Sequence, residues 1–433
     1  MADPVYTNTK STKEARSLHE LRNKPSAAKP SLLKGRANSG KFQKVDALVT
    51  QGWGRIAYNV VRSLGKKGLT VGVGLDEFIG MAAASKYTRL TFRHPSFITQ
   101  TEGFIQSVRQ AVFQHQPKAL IPADQDILTV ARYKEEFEDL DVKTAIAPFD
   151  TLKQLHKKDE VVRLANELGI PVPNTLIPKN MQDIAKFAEQ HGYPVVMKRT
   201  NSSGSRGVSY HESDSKFLKA DNVCTNGTAL QDVILQEYVQ GTGYGVSMLF
   251  SHGRMRAKFT HRRLREKLHT GGISTLRMST ENPLLEEYAE CLLSKVNFHG
   301  VAMVEFKYDE KKKQGWLIEV NPRFWGSVGL AIQSGVDFPY LLYKLALNGD
   351  VTPVTDYRKN VAVRWILGDV LGYLRQKLHA RGASLPREYS GVQGYDDYYA
   401  DDPLPFFAQI AFAALKKIRT RNFENKDIEV PLT

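Results

Sequence analysis

Gly315–Gly326 reads GWLIEVNPRFWG. Trp316, Ile318 and Val320 alternate with Leu317, Glu319 and Asn321, the period-two pattern of a β-strand, so Glu319 and Asn321 share one face roughly 7 Å apart. Upstream, VAMVEFKYD (Val301–Asp309) sets Glu305 with Met303 and Lys307 on one face, opposite Val304 and Phe306. The short DEKKKQG run between the two strands suits an antiparallel hairpin that brings Glu305 next to Glu319. Gathered carboxylates repel one another unless a cation joins them. An all-oxygen set of Glu305, Glu319 and Asn321 suits Mg²⁺ carrying nucleotide phosphates, with Mn²⁺ as an alternative. A solvent-facing polar edge is the other reading of the alternation, but it leaves Pro322 and Arg323 unexplained.

Two glycine-bearing stretches compete for a phosphate. The first, VTQGWGRIAYNVVRSLG (Val49–Gly65), fits G-x-G-x-x-G/A through Gly52, Gly54 and Ala57. It reads as a dinucleotide turn, a small-substrate contact, or a turn kept small for packing. The second follows a strand ending at Lys198: RTNSSGSRGV, with Ser203, Gly204, Ser205, Arg206 and Gly207. Its backbone N–H groups and hydroxyls suit triphosphate oxygens, with Lys198 neutralising their charge. A mobile hairpin with a solvated lysine explains that stretch equally well, and the acidic constellation downstream decides for phosphate.

From Val45 to about Phe149, short β-branched runs alternate with helical ones, which means a parallel sheet with crossover helices. The helix KKDEVVRLANELG then opens a second unit, closed by Gly169 and followed by two prolines. Beyond it strands mostly follow strands directly, as in antiparallel α+β sheets, with helical patterns at 181–191, 284–297 and 328–348. The expected division is a disordered basic leader at 1–44, a Rossmann-like unit at 45–150, a second unit at 151–350 with subdomains near 175–240 and 241–350, and an extension at 351–433. In that extension VAVRWIL is a strand that caps the sheet, and YDDYYADD is an acidic aromatic patch.

The chain has 433 residues, 42% of them hydrophobic, enough for two or three packed units. Half of its net charge of +14 lies in the first 44 residues, where ten Lys/Arg face only Asp3, Glu14 and Glu20. That leader reads as a solvated tail, and nucleic acid is disfavoured as a partner. No apolar run approaches the ~20 residues of a membrane span, so the expectation is a cytoplasmic protein with no membrane partner. Cys224 and Cys291 lack metal-ligand spacing and read as inert packing residues.

The order of lysine, glycine loop, LQEYV, VEF and EVNPR resembles the ATP-grasp superfamily over roughly Val45–Gly349. The resemblance implies an α/β and α+β chain: an ATP-grasp fold behind a parallel-sheet, Rossmann-like pre-ATP-grasp domain. It implies that Lys158 and Lys198 contact ATP phosphates beneath the loop from Thr200 to Gly207. Gln236, Glu237, Tyr238 and Val239 become the hinge beside adenine, with Glu237 and Val239 acting mainly through backbone. Glu305, Glu319 and Asn321 match the Mg²⁺ ligands, and Arg323 the arginine facing the transferred phosphoryl group. FTHRRLRE, TGGIST, NPRFWGS and AIQSGVDFP look most like bacterial carboxylate–amine ligases. One departure stands out: many relatives carry a ribose-binding glutamate shortly after the hinge, where GTGYGV places Gly243.

The implied activity is an ADP-forming ligation of a small carboxylate to an amine, with a homodimer as a candidate assembly. Candidate substrate residues are His261, Arg262, Arg263 and Glu266 with Gly271 and Gly272, and Gly52 with Gly54 as a wall. Rival readings are a non-catalytic ATP-binding regulator and an NAD(P)-dependent oxidoreductase using the GWGRIA turn.

Overall fold

Residues 43–201, 207–213, 230–266, 273–379 and 390–420 are described by the computed structural model. The leader through residue 42, Ser203, Gly204, Ser205, Arg206, Cys224, Gly271 and Gly272 lie outside these residues.

The chain first alternates β1 (Ala47–Val49), α1 (Arg55–Lys66), β2 (Val71–Leu75), β3 (Thr88–Arg93), α2 (Thr101–His115), β4 (Ala119–Ile121) and α3 (Asp126–Arg132). The strands form a parallel sheet in the order β3-β2-β1-β4. β1, β2 and β4 are buried throughout, as parallel strands covered on both faces must be. β3 escapes the sequence pattern because it is an edge strand of alternating burial whose exposed positions are polar or basic. The VKTAIAP run contributes only a bridge from Lys143 to Ala119.

The first glycine turn is closely packed at Gly52 and open at Gly54. A Cβ on Gly52 would stand 2.2 Å from Val73 Cγ1, while Gly54 N-caps α1. Trp53 stacks on Phe412 at 5.6 Å, and Arg55, the first residue of α1, donates to Asp396 at 2.6 Å. Later segments of the chain thus engage both neighbours of Gly54, at the helix N-terminus that the oxidoreductase reading needs for a pyrophosphate.

A second group comprises α4 (Phe149–His156), α5 (Lys158–Glu167), β5 (Thr175–Leu176), α6 (Met181–His191), β6 (Val195–Arg199), β7 (Val208–His211) and β8 (Val233–Glu237). Its antiparallel sheet runs β5-β8-β6-β7. Asn180 and Asp183 form a capping box that starts α6 where the periodicity placed it.

The third group is β9 (Thr242–Ser251), β10 (Arg254–Glu266), β11 (Ser274–Thr280), α7 (Pro283–Lys295), β12 (Gly300–Asp309), β13 (Gln314–Asn321), α8 (Val328–Ser334), α9 (Phe338–Asn348), β14 (Ala362–Arg364), α10 (Ile366–His379), β15 (Val392–Tyr395) and α11 (Leu404–Thr420). Its seven-stranded sheet is ordered β13-β12-β9-β10-β11-β14-β15. The expected single helix at 328–348 is two helices, because Gly335 adopts φ +112° and the Asp337 carboxylate caps a new start ahead of Pro339. Cys291 is exposed on the outer face of α7 rather than packed. Among the described residues no helix is long and apolar enough to cross a membrane.

One apolar core joins Leu152, Leu155, Val161 and Leu164 of α4 and α5 to Val304, Phe306, Leu317 and Val320 of β12 and β13. This packing fixes the α5 N-terminus beside the β13 edge. The final segment is tied down by charge: Asp396, fully buried, binds both Arg55 and the buried Arg277 of β11, and Arg62 of α1 meets Asp401 at 2.6 Å.

Asp396→Ala strands two buried guanidinium groups, so it should destabilise the chain by about 3–5 kcal/mol in chemical unfolding. Arg163→Ala, which removes exposed pairs to Glu160 and Glu167, should change stability by less than about 1 kcal/mol. Equal effects would show that Asp396 does not pin the segment.

Candidate active site

The β12–β13 register pairs Glu305 directly with Glu319, and Met303 with Asn321. A bulge at Ile318 follows, since Glu305 faces Glu319 whereas Phe306 faces Leu317. This corrects the simple alternation: Leu317 sits with Val320 in the core, not with Glu319 and Asn321, because one extra residue flips the pleat. Asn321 Nδ2 donates to Glu305 at 3.2 Å and to Glu319 at 3.3 Å, while its Oδ1 accepts from Arg323 Nη2 at 3.0 Å. Arg323 Nη1 also donates to the Phe324 carbonyl at 2.7 Å and lies 3.4 Å from Asp124 Oδ1.

Two lysines face this acidic pair. Lys158 is the first residue of α5, and its N–H donates to Thr200 O at 3.1 Å. Lys158, His156, Glu319 and Asn321 line a common small cavity. Lys198 ends the buried part of β6. Burial, with Lys158 adding to it against the pull of Glu319, lowers the Lys198 ammonium to about 8. Burial alone raises Glu319, yet Lys158 and Lys198 outweigh it and bring its pKa below the ordinary value. Glu305 is pushed up to about 7, first by burial and then by Glu319, with Arg263 opposing. Burial and the charges of Lys158 and Arg323 lower His156 to about 4, so it is neutral.

Residues on β10 reach the acids across β9. Gly245 of β9 pairs with Glu305 on one side and His261 on the other. A Cβ at Gly245 would stand 2.4 Å from the His261 ring, and one at Gly243 would stand 2.7 Å from Arg263 Cδ. Gly245 thus makes room for the His261 ring, and Gly243 clears a lane in which Arg263 bonds Glu305, and also Glu266 at 3.2 Å. Glu266 Oε1 lies 3.2 Å from where a Cβ on Gly243 would stand, so a carboxylate from the neighbouring strand overlies the departing position. His261 is buried and neutral, with Nε2 3.3 Å from Ser327 Oγ.

Arg262 does not join this set. It pairs with Tyr244 and Met278 on the opposite face, as strand alternation requires. Arg265 turns to Asp369 of α10 at 2.5 Å.

At the hinge, Gln236 is buried with Nε2 on Thr175 at 2.9 Å, and Tyr238 is exposed edge-on to Tyr210. The Glu237 N–H donates to Asn174 O at 3.0 Å and its carboxylate accepts from Asn174. Gly207 takes φ +67° against Arg199, a left-handed turn at the end of the glycine loop.

Among the described residues no three His, Cys, Asp or Glu side chains gather as a metal cluster, so a cation here has two carboxylates and the Asn321 amide. The residues fit one: burial and then Glu319 leave Glu305 with a raised pKa that a hard cation relieves, both acids offer oxygen, and the Asn321 amide offers its own on turning from Arg323.

The family model described as "ATP-grasp in the biosynthetic pathway with Ter operon" matches residues 229–368, and "Carbamoyl-phosphate synthase L chain, ATP binding domain" matches 157–242. The chain belongs to the ATP-grasp superfamily. It is 27% identical over 222 residues to the carbamoyl phosphate synthase arginine-specific large chain of Geobacillus stearothermophilus, covering 48% of this chain and 21% of that protein. The ATP-grasp chain thus spans about a fifth of that relative's length. The biotin carboxylase domain dimer of Hydrogenobacter thermophilus 2-oxoglutarate carboxylase, solved with magnesium ADP, ADP and bicarbonate, matches with TM-score 0.60 and 15% identity over 74% of each chain. The L-amino acid ligase of Bacillus licheniformis matches with TM-score 0.55 and 15% identity, over 70% of this chain and 75% of that one.

Sequence reasoning on this ATP-grasp chain missed Asp124 and His156 as members of the site, and missed the arginine lane. Asp124 had a signal, since it follows β4 at the carboxyl end of a parallel sheet, where such folds place functional groups.

Lys198 is charged below about pH 8 and neutral above it, so ADP binding measured by calorimetry without divalent metal should weaken as pH rises through about 8. Lys198→Arg, whose guanidinium keeps its charge, should remove that dependence; its persistence would assign the limb to another group.

Proposed function

We propose that the chain is an ADP-forming ligase that activates a small carboxylate as an acyl phosphate and joins it to an amine, often that of an amino acid. The observation that carries this reading is the opposed Glu305–Glu319 pair, with Lys158 and Lys198 on one side and Arg323 at the end of the same strand.

Glu305, Glu319 and Asn321 hold Mg²⁺, which when bound offsets the charge of the ATP phosphates. Lys158, Lys198 and the loop ending at Gly207 take phosphate oxygens, with Ser203, Gly204, Ser205 and Arg206 contributing from that loop. At the hinge the Glu237 N–H is already given to Asn174, so the base edge meets the Glu237 carbonyl and Val239, with Gln236 and Tyr238 alongside. A carboxylate oxygen attacks the γ-phosphorus as the bond to the bridging oxygen of ADP breaks. Arg323 faces the transferred phosphoryl group and spreads its developing charge. The amine nitrogen then attacks the acyl carbon, phosphate leaves, and the nitrogen loses a proton to solvent or phosphate. His261, Arg263 and Glu266 line the acceptor side together with Gly271 and Gly272, and the Gly52–Gly54 turn abuts it through Arg55, whose Nη2 lies 3.0 Å from where a Cβ on Gly326 would stand. The likeness to an L-amino acid ligase supports this substrate class, and the dimer named for the carboxylase domain supports a homodimer.

Incubation with ATP, Mg²⁺ and a panel of carboxylates and amines should yield ADP, phosphate and a condensed mass that requires both organic partners. Glu319→Ala should lower turnover about a hundredfold or more while leaving the far-ultraviolet spectrum unchanged. Binding of ATP with no turnover across the panel, and no change on mutating Glu319, would favour a non-catalytic nucleotide-binding protein.

A further inference from the structure

Arg263 occupies a position that the metal reading does not explain. Its guanidinium lies across the Gly243 lane on Glu305 Oε2, while Asn321 Nδ2 takes Glu305 Oε1. Each oxygen of Glu305 thus already accepts one N–H, and Glu319 Oε1 accepts from the same amide. A guanidinium and a divalent cation on one carboxylate repel each other, the more strongly in so enclosed a place, where Arg263 and Glu305 are each 15% exposed. Arg263 on Glu305 and a metal on Glu305 therefore oppose one another by charge.

We propose, on the ligase reading above, that Arg263 and the metal compete for Glu305, and that metal entry transfers the guanidinium from Glu305 to the substrate carboxylate. Displacement does not set Arg263 adrift, because Glu266 still holds one edge of its fork. Its cross-strand neighbour Arg277 remains committed to Asp396, and the neutral His261 lies beside it on the same face. A guanidinium with one edge tethered and the other released is a planar fork for a carboxylate. The carboxylate is gripped only once the metal is in place to hold the phosphates it attacks, so metal loading and acid capture become one event.

Mn²⁺ titration of the full chain with ADP present, followed by the paramagnetic resonance of free Mn²⁺, tests the competition. Arg263→Gln should bind Mn²⁺ roughly tenfold tighter or more than wild type, with Arg263→Lys between them. Lys307→Gln removes a positive charge from the same face without a bond to Glu305 and should shift affinity less than about twofold. Equal strengthening in the Arg263 and Lys307 variants, or weakening in Arg263→Gln, would overturn the competition while leaving the ligase reading intact. Failure of wild type and Arg263→Gln alike to bind Mn²⁺ would overturn both. Phenylglyoxal labelling of wild-type Arg263, read by mass on its peptide, covers the case in which Arg263→Gln does not fold. Mn²⁺ should speed that labelling several-fold, and acetate should restore protection only when Mn²⁺ is present. Labelling indifferent to Mn²⁺ refutes the displacement, and labelling that Mn²⁺ speeds but acetate never slows refutes the transfer.

Discussion

Two carboxylates held face to face on adjacent strands repel, and the site is built from what other elements bring to offset that repulsion. The hydrogen-bond register of β12 and β13 fixes Glu305 against Glu319. Positive groups then converge from separate parts of the chain: Lys158 from a helix start, Lys198 from the small sheet, Arg263 from β10 and Arg323 from the end of β13. Each arrives by a different device. Apolar packing of α5 on the core side of β13 places Lys158, whereas Arg263 reaches Glu305 only because β9 carries glycine where it must pass. The uneven result, with Glu305 raised and Glu319 lowered, follows from which cations each acid meets.

The end of the chain belongs to this construction. β14 and β15 extend the seven-stranded sheet, and Asp396 sits between Arg55 of α1 and Arg277 of β11. A buried triad of this kind adds little net stability over an apolar contact, but it tolerates no substitute partner. Arg55 and Arg277 are both satisfied only when the first sheet's helix and the large sheet meet the same carboxylate. The same segment stacks Phe412 on Trp53, so the turn that resembles a dinucleotide site is an interface within the protein. Gly52 serves close packing against Val73, whereas space is open at Gly54.

The sequence carried the features that are local. Strand alternation around Glu319, the capping box before α6 and the lysine at the start of α5 are written within a few residues, and the fold preserves them. The bulge at Ile318 was not legible because Trp316, Leu317 and Ile318 are all apolar, so an extra residue leaves no mark in the pattern. The break at Gly335 was hidden because apolar spacing continues across it. Arg263 had been grouped with Arg262 by adjacency in sequence, although neighbours on a strand face opposite ways. Its true partner, Glu305, depends on what is missing from a third strand, and no pattern within β10 or β12 records that absence.

Gly243 leaves room for Arg263 and Glu266 side by side. A glutamate side chain at 243 would project into the volume that Arg263 Cδ now fills, so an acid on β9 and an arginine crossing from β10 are sterically incompatible. Glu266 instead brings a carboxylate to Arg263 from β10 itself and leaves the lane open. At the opposite edge, Asn321 presents its N–H to both glutamates while its oxygen faces Arg323, which in turn approaches Asp124 from the first sheet. An amide cannot turn both its oxygen and its nitrogen toward the acids. Whatever draws Arg323 off Asn321 therefore also releases that oxygen, coupling Arg323 to both acids through a single side chain.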